Sequence, residues 1–146
     1  MSLKENINTN HLPSHLAVIM DGNGRWAKQK GRLRAFGHKN GTKAVREIVE
    51  ASAELGIENL TLYAFSTENW KRPKIEVQTL MKLLVSSLKK EIKTLQDNNI
   101  KLLAIGDLSS LPKKAHQELV EVIDNTKNNN KMTLVLALSY GSREEI

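Results

Sequence analysis

HLAVIMDGNGRW, residues 15–26, joins two stretches of opposite character. Leu16-Ala-Val-Ile-Met20 is an apolar run of the length and branching expected of a buried strand. It stops on Asp21-Gly-Asn-Gly-Arg25, which packs one acid, two glycines, one amide and one cation into five residues. Such residues make a poor core and a good anion site. Glycines let the backbone approach a ligand closely. Successive amides can form a concave nest for negative charge.

Three further apolar runs, Leu60–Phe65, Ile100–Ile105 and Met132–Leu138, resemble the first. They are nearly continuous rather than alternating, the pattern of strands covered on both faces. Helical spacing occupies the gaps. It runs over Lys43–Leu55, with Gly56 as a stop, over Ile75–Gln96 after Pro73, and over Pro112–Lys127. The Asn- and Lys-rich stretch Asn125–Asn130 reads as a turn. The order β-α-β-α-β-α-β predicts an α/β domain, with a mainly parallel central sheet and helices on both faces. In such sheets ligands bind beyond the carboxyl ends of the strands. Four polar clusters should therefore meet on one edge: Asp21–Arg25, Ser66–Arg72, Gly106-Asp107 and Ser139–Arg143.

The chain has 146 residues, 40% hydrophobic and 26% charged, values that fit one globular domain. The absence of cysteine excludes a disulfide framework and a thiolate metal site. No apolar run reaches the roughly 18–20 residues of a membrane span. The opening MSLKENINTNHLPSH lacks the apolar core of a signal peptide. Residues 1–14 read as a polar tail and residues 15–146 as the folded domain.

The net charge of +6 is uneven. From Gly22 to Arg46 there are eight Lys/Arg and no Asp or Glu. Such a block suits phosphate groups, nucleic acid or an anionic membrane, or is simply a solvated face. Arg25, Arg34 and Arg72 could fork onto phosphate oxygens, with His38 as a further donor. Asp21 would repel a phosphate unless a cation lay between them. Mg²⁺ fills that role, using one or two carboxylates plus substrate phosphates. Asp21 is thus the candidate metal ligand, although Asp-Gly-Asn-Gly also suits an ordinary strand-to-helix turn. Neither a Walker loop nor a dinucleotide GxGxxG is present. Trp26 and Trp70 lie at strand exits, where they either cap the core or hold an apolar group beside a polar one.

Residues 15–41, HLAVIMDGNGRWAKQKGRLRAFGHKNG, together with Leu62-Tyr-Ala-Phe-Ser-Thr-Glu-Asn-Trp-Lys-Arg-Pro73, resemble the two signatures of the cis-prenyltransferase family, in particular bacterial undecaprenyl diphosphate synthases. Ile105-Gly-Asp107 and Ser139–Arg143 look like weaker later motifs, and the likeness runs from about His15 to Ile146. The resemblance implies a Mg²⁺-dependent enzyme that adds isopentenyl diphosphate repeatedly to an allylic diphosphate such as farnesyl diphosphate. The product would be a long polyprenyl diphosphate, the precursor of the cell-wall carrier lipid. It implies that Asp21 binds Mg²⁺ and helps the diphosphate depart, and that Gly22, Asn23, Gly24, Arg25, Arg34 and His38 hold the allylic diphosphate. Ser66, Thr67, Glu68 and Arg72 would place the substrates, with Trp26 and Trp70 against their apolar parts. Asn69 matches the position assigned to deprotonation. An amide is a weak base, so Asn69 would position the proton and the released diphosphate would accept it. The helices at Lys43–Leu55 and Ile75–Gln96 would wall a tunnel for the growing chain. The resemblance further implies a cytoplasmic homodimer, peripheral to the membrane that receives its product, and no nucleic-acid partner.

Two departures stand out. The family continues past Ile146 with an Arg-rich isopentenyl-diphosphate motif, another Mg²⁺ carboxylate and much of the dimer interface. The expectation is therefore the N-terminal portion of a catalytic domain whose C-terminal part is missing. Ser142 also stands where the family more often has Gly. The alternative is a catalytically incomplete binder of prenyl diphosphates or a partner subunit. A nucleic-acid-binding role would need aromatics interleaved with the cations, and only Trp26 and Phe36 fall within the basic block.

Overall fold

The computed structural model describes residues 2–146. Strands β1 (His15–Ile19), β2 (Asn59–Ser66), β3 (Ile100–Ile105) and β4 (Met132–Tyr140) form one sheet in the order β1-β2-β4-β3. Every neighbouring pair is parallel. The register sets Leu16, Leu60, Leu134 and Leu102 in one row across the sheet. Val18, Leu62, Leu136 and Ala104 form the next row. Side chains alternate between faces along a strand, so these rows share one face.

Five helices accompany the strands: α1 (Asn23–Gln29), α2 (Arg34–Leu55), α3 (Lys74–Asp97), α4 (Lys113–Thr126) and α5 (Ser142–Glu145). Val49 and Ala53 of α2, Leu88 and Leu95 of α3, and Leu119 and Val122 of α4 join those sheet rows in a single core. Helices α2, α3 and α4 gather over this face. On the other, Ile19, Leu103 and Ile105 are exposed. At the free edge of β3, the Leu102 backbone N–H donates to Thr126 Oγ1 of α4 at 3.0 Å.

The three expected long helices are present, with one displaced boundary. The helix predicted at Lys43–Leu55 begins at Arg34. Gly37 and Gly41 make the intervening stretch look like a loop, yet both lie inside α2. The polar first residues form short 3-10 turns at Leu3–Asn6 and Thr9–His11. Lys4 pairs with Glu54 of α2 at 2.5 Å, and Leu12 packs against the core. Among the described residues, no helix is long and apolar enough to cross a membrane.

Candidate functional site

The loop after β1 turns on Gly22, whose φ of +88° is a left-handed conformation that glycine adopts freely. The turn folds the Gly22 backbone N–H onto Asp21 Oδ1 at 2.6 Å, while Arg25 Nη2 donates to Oδ2 at 2.9 Å. The amide of Gly22 first, and Arg25 second, hold the Asp21 carboxyl below the ordinary aspartate value. Asp21 therefore stays ionised and, being exposed, open to a cation.

Helix α1 lies directly on the start of α2. A Cβ at Gly37 would stand 2.0 Å from the Asn23 carbonyl oxygen, and one at Gly41 2.6 Å from Asn23 Nδ2. The two glycines, one helical turn apart, are the seat on which the Asp-Gly-Asn-Gly loop rests. This crossing carries Gly24 against the Arg34 side chain and brings α2's cations to the end of β1.

The second cluster arrives from β2. Its 3-10 turn, Thr67–Lys71, is closed by a reciprocal cap between Ser66 and Asn69, in which Asn69 Oδ1 accepts the Ser66 backbone N–H at 3.1 Å. Arg72 follows and points to the first turn of α3. There Glu76 Oε1 receives Arg72 Nη1 at 3.1 Å and faces His38 Nε2 at 3.5 Å and Arg34 Nη1 at 3.7 Å. One carboxylate oxygen thus gathers three groups from α2 and the second cluster. Glu76 was absent from the sequence candidates. An acid four residues after Arg72, in the first turn of a helix that follows Pro73, reads as routine helix chemistry.

These groups stand at one end of a cavity of about 700 Å³ between α2, α3 and the sheet. Of the sequence candidates, Asp21, Gly22, Asn23, Gly24 and Arg25 line it from the first loop. Arg34 and His38 do so from α2, and Ser66, Asn69 and Arg72 from the second cluster. Farther in, the walls are Val45 and Val49 of α2, Leu84 and Leu88 of α3, and Leu62 and Leu136 of the sheet. Arg46 and Glu91 close on each other across the two helices, Arg46 Nε lying 2.9 and 3.1 Å from the two carboxylate oxygens. A polar mouth on an apolar barrel suits an amphiphile with an anionic head.

Four candidates sit elsewhere. Trp26 stacks on Phe36 with ring centroids 5.9 Å apart, outside the cavity wall. Trp70 lies edge-on to Phe65 and donates its indole N–H to Ser139 Oγ at 2.9 Å, which makes it a cap on the core. Glu68 is exposed, and Thr67 lies beside Gly141. The four strand-end clusters share one edge of the sheet, but only the first two line the cavity. The fourth touches the second through Trp70 and Ser139 and through Thr67 and Gly141, and it touches the third where the Asp107 backbone N–H donates to the Ser139 carbonyl at 3.0 Å. Asp107 is engaged by the hydroxyls of Ser109 and Ser110, which hold its carboxyl below the ordinary value.

The fit to Mg²⁺ is specific in kind. No group of three or more His, Cys, Asp or Glu is placed to hold a metal among the described residues. At the mouth Asp21 is the exposed carboxylate, whereas Glu76 is largely buried among Arg72, His38 and Arg34. That matches a Mg²⁺ carried largely by substrate phosphates and not a metal caged by protein alone.

A family model described as "Putative undecaprenyl diphosphate synthase" matches residues 19–146. An isoprenyl transferase of Clostridium tetani is 50% identical over 143 residues, covering 98% of this chain and 56% of the relative. A ditrans,polycis-undecaprenyl-diphosphate synthase ((2E,6E)-farnesyl-diphosphate specific) of Pasteurella multocida is 50% identical over 135 residues, covering 92% of this chain and 56% of the relative. Among solved structures, lavandulyl diphosphate synthase from Lavandula x intermedia, in complex with dimethylallyl diphosphate, superposes with a TM-score of 0.88 at 36% identity. The match covers 92% of this chain and 58% of that one. This chain therefore spans a little over half the length of the relatives it matches.

Proposed function

Because the chain belongs to the prenyltransferase family of undecaprenyl diphosphate synthases, we propose that its cavity binds an allylic diphosphate, with farnesyl diphosphate as the starter, for condensation with isopentenyl diphosphate. One observation carries the reading: a cluster of Arg25, Arg34, His38 and Arg72 stands at the mouth of an apolar cavity of about 700 Å³. The head of the substrate meets the cations, and its hydrocarbon tail enters between α2 and α3.

The reaction breaks the bond from the allylic carbon to its diphosphate, and that carbon bonds to the terminal alkene carbon of isopentenyl diphosphate. A proton then leaves the condensing unit. Charge builds on the departing diphosphate, and fixed cations stabilise it where it builds. Arg25, Arg34 and Arg72 supply permanent charge, and His38 a further donor. Gly22, Asn23 and Gly24 bring backbone amides against the same oxygens. Ser66, Thr67, Glu68 and Arg72 help place the substrates. Asn69 orients the condensing unit for proton loss, and the released diphosphate takes the proton. Asp21 would hold Mg²⁺, which when bound supplies charge neutralisation for the diphosphate. Trp26 and Trp70 act from outside the cavity wall, Trp70 through the core it caps. The product reading is undecaprenyl diphosphate for the cell-wall carrier lipid, made by a cytoplasmic homodimer that passes it to the membrane.

A second reading, a prenyl-diphosphate binder or partner subunit, is favoured by the carboxylates at the mouth, of which Asp21 alone is exposed to a metal while Glu76 is taken up by Arg72, His38 and Arg34. One experiment separates the two. The chain is incubated with farnesyl diphosphate, labelled isopentenyl diphosphate and Mg²⁺, and organic-soluble label is counted beside direct binding. Labelled polyprenyl product supports the enzyme. Binding without product supports the second reading, and neither binding nor product overturns both.

A further inference from the structure

The corner between α1 and α2 carries a surface that the cavity does not use. Leu33 is 83% exposed, Trp26 42% and Phe36 38%. The two rings lie parallel within 1°, and the Arg32 guanidinium sits 5.3 Å from the Phe36 centroid. Leu33 is also the residue that opens α2, where it makes no side-chain cap. A leucine there contributes nothing to the helix, since caps need an oxygen. Its exposure is unexplained by local folding.

The local sequence is wholly basic. Lys30 lies one helical turn from Trp26, Lys28 and Arg32 flank it, and no acid occurs between Gly22 and Arg46. Lys28, Lys30, Arg32 and Lys39 have no carboxylate partner among the described residues. Exposed aromatic and aliphatic side chains ringed by unpaired cations fit a bilayer interface carrying anionic lipid. A nucleic acid would need a free ring face for its bases. Phe36 already has Trp26 alongside and Arg32 over it, and Leu33 offers no ring.

We propose that this corner, Leu33, Phe36 and Trp26 with Lys28, Lys30 and Arg32, docks the protein on an anionic lipid membrane. The site mouth adjoins it, because Arg25 and Arg34 line the cavity and flank these residues in sequence. The proposal deepens the reading that the product passes to a membrane and rests on it for the choice of occupant, while vesicle binding, measured without substrate, can fail without the catalytic reading failing.

The test is flotation of the chain with vesicles of phosphatidylcholine alone and of phosphatidylcholine mixed with phosphatidylglycerol, with Trp emission recorded alongside. The wild type should bind the mixed vesicles, release with salt, and shift its Trp emission to the blue. Neutralising K28Q/K30Q/R32Q should weaken that binding about a hundredfold, from roughly one elementary interaction per cation. Leu33→Ser with Phe36→Ser should weaken it at least about tenfold. Farnesyl diphosphate binding, measured on the same variants, should stay unchanged and so report an intact fold. Equal affinity for neutral and anionic vesicles, or variants that bind as the wild type does, would overturn the proposal. So would a wild type that ignores both vesicles while binding nucleic acid through the same cations.

Discussion

His38 Nε2 lies 3.5 Å from Glu76 Oε1, with side-chain exposures of only 15% and 13%. That imidazole nitrogen makes no hydrogen bond within the protein. A buried polar atom left short of a partner is costly unless something else completes it. Glu76 is the resident anion among Arg34, His38 and Arg72, standing close to where a diphosphate would bind. Glu76→Gln should therefore lower stability by about 1–3 kcal/mol in denaturant unfolding, because Arg34 and Arg72 lose their counter-charge. Inorganic diphosphate should restore more stability to the variant than it adds to the wild type. Equal responses would show that the ligand does not take over the carboxylate's partners.

Asp21 provides a prediction with a sign. Its folded carboxyl is held low by the Gly22 amide and then by Arg25. A depressed carboxyl stabilises the fold above the unfolded value and loses that contribution as pH falls through the folded one. Asp21 should thus remain charged across neutral and mildly acidic pH, and Mg²⁺ affinity in that window should not follow its titration. Arg25→Ala should raise the Asp21 midpoint, as read by carboxyl NMR, while leaving it below the ordinary value because the amide remains. No movement would show that Arg25 does not hold the carboxylate in solution.

Gly37 and Gly41 should not respond alike. A methyl at Gly37 meets the Asn23 carbonyl at 2.0 Å, which only a backbone shift can relieve. At Gly41 it meets the Asn23 side-chain amide at 2.6 Å, which can rotate. Gly37→Ala should lose about 1–3 kcal/mol by overpacking and loosen the Asp21–Arg25 loop. Gly41→Ala should lose clearly less. Denaturant midpoints check the order, and a reversed order would mean that α1 crosses α2 elsewhere.

Trp70 divides two roles cleanly. Its indole N–H donates to Ser139 Oγ at 2.9 Å, and Ser139 is itself buried with a φ of +48°. Trp70→Phe keeps the ring against Phe65 and removes the donor. Stability should fall by about 1–2 kcal/mol, with farnesyl diphosphate affinity unchanged. A large affinity loss at unchanged stability would place Trp70 against the ligand instead.

The four strands were legible because their apolar runs are continuous and bounded by turn residues. The long helices α3 and α4 were legible because Pro73 and Pro112 mark their starts. The start of α2 was hidden by Gly37 and Gly41, whose role lies in a contact with Asn23 that local propensity does not encode. The same limit applies to Glu76, which matters through partners 42 and 38 residues away at Arg34 and His38. The two tryptophans stood at the predicted strand exits, but orientation decided their surroundings, and spacing does not reveal orientation. The loop residues Asp21 to Arg25 stand out in the sequence because charge and backbone freedom are compressed into one short stretch, and they lie in the cavity wall.

In the proposed function the cation cluster and the apolar cavity act as one site for one amphiphile. Titration of the chain with farnesyl diphosphate, farnesol and inorganic diphosphate in the presence of Mg²⁺ tests it most directly, with Arg34→Ala measured in parallel. Farnesyl diphosphate should bind one to one and more tightly than either half-ligand, and Arg34→Ala should weaken it about tenfold or more without altering farnesol. Farnesol binding as tightly as its diphosphate, or an Arg34→Ala variant that binds as the wild type does, would contradict the account.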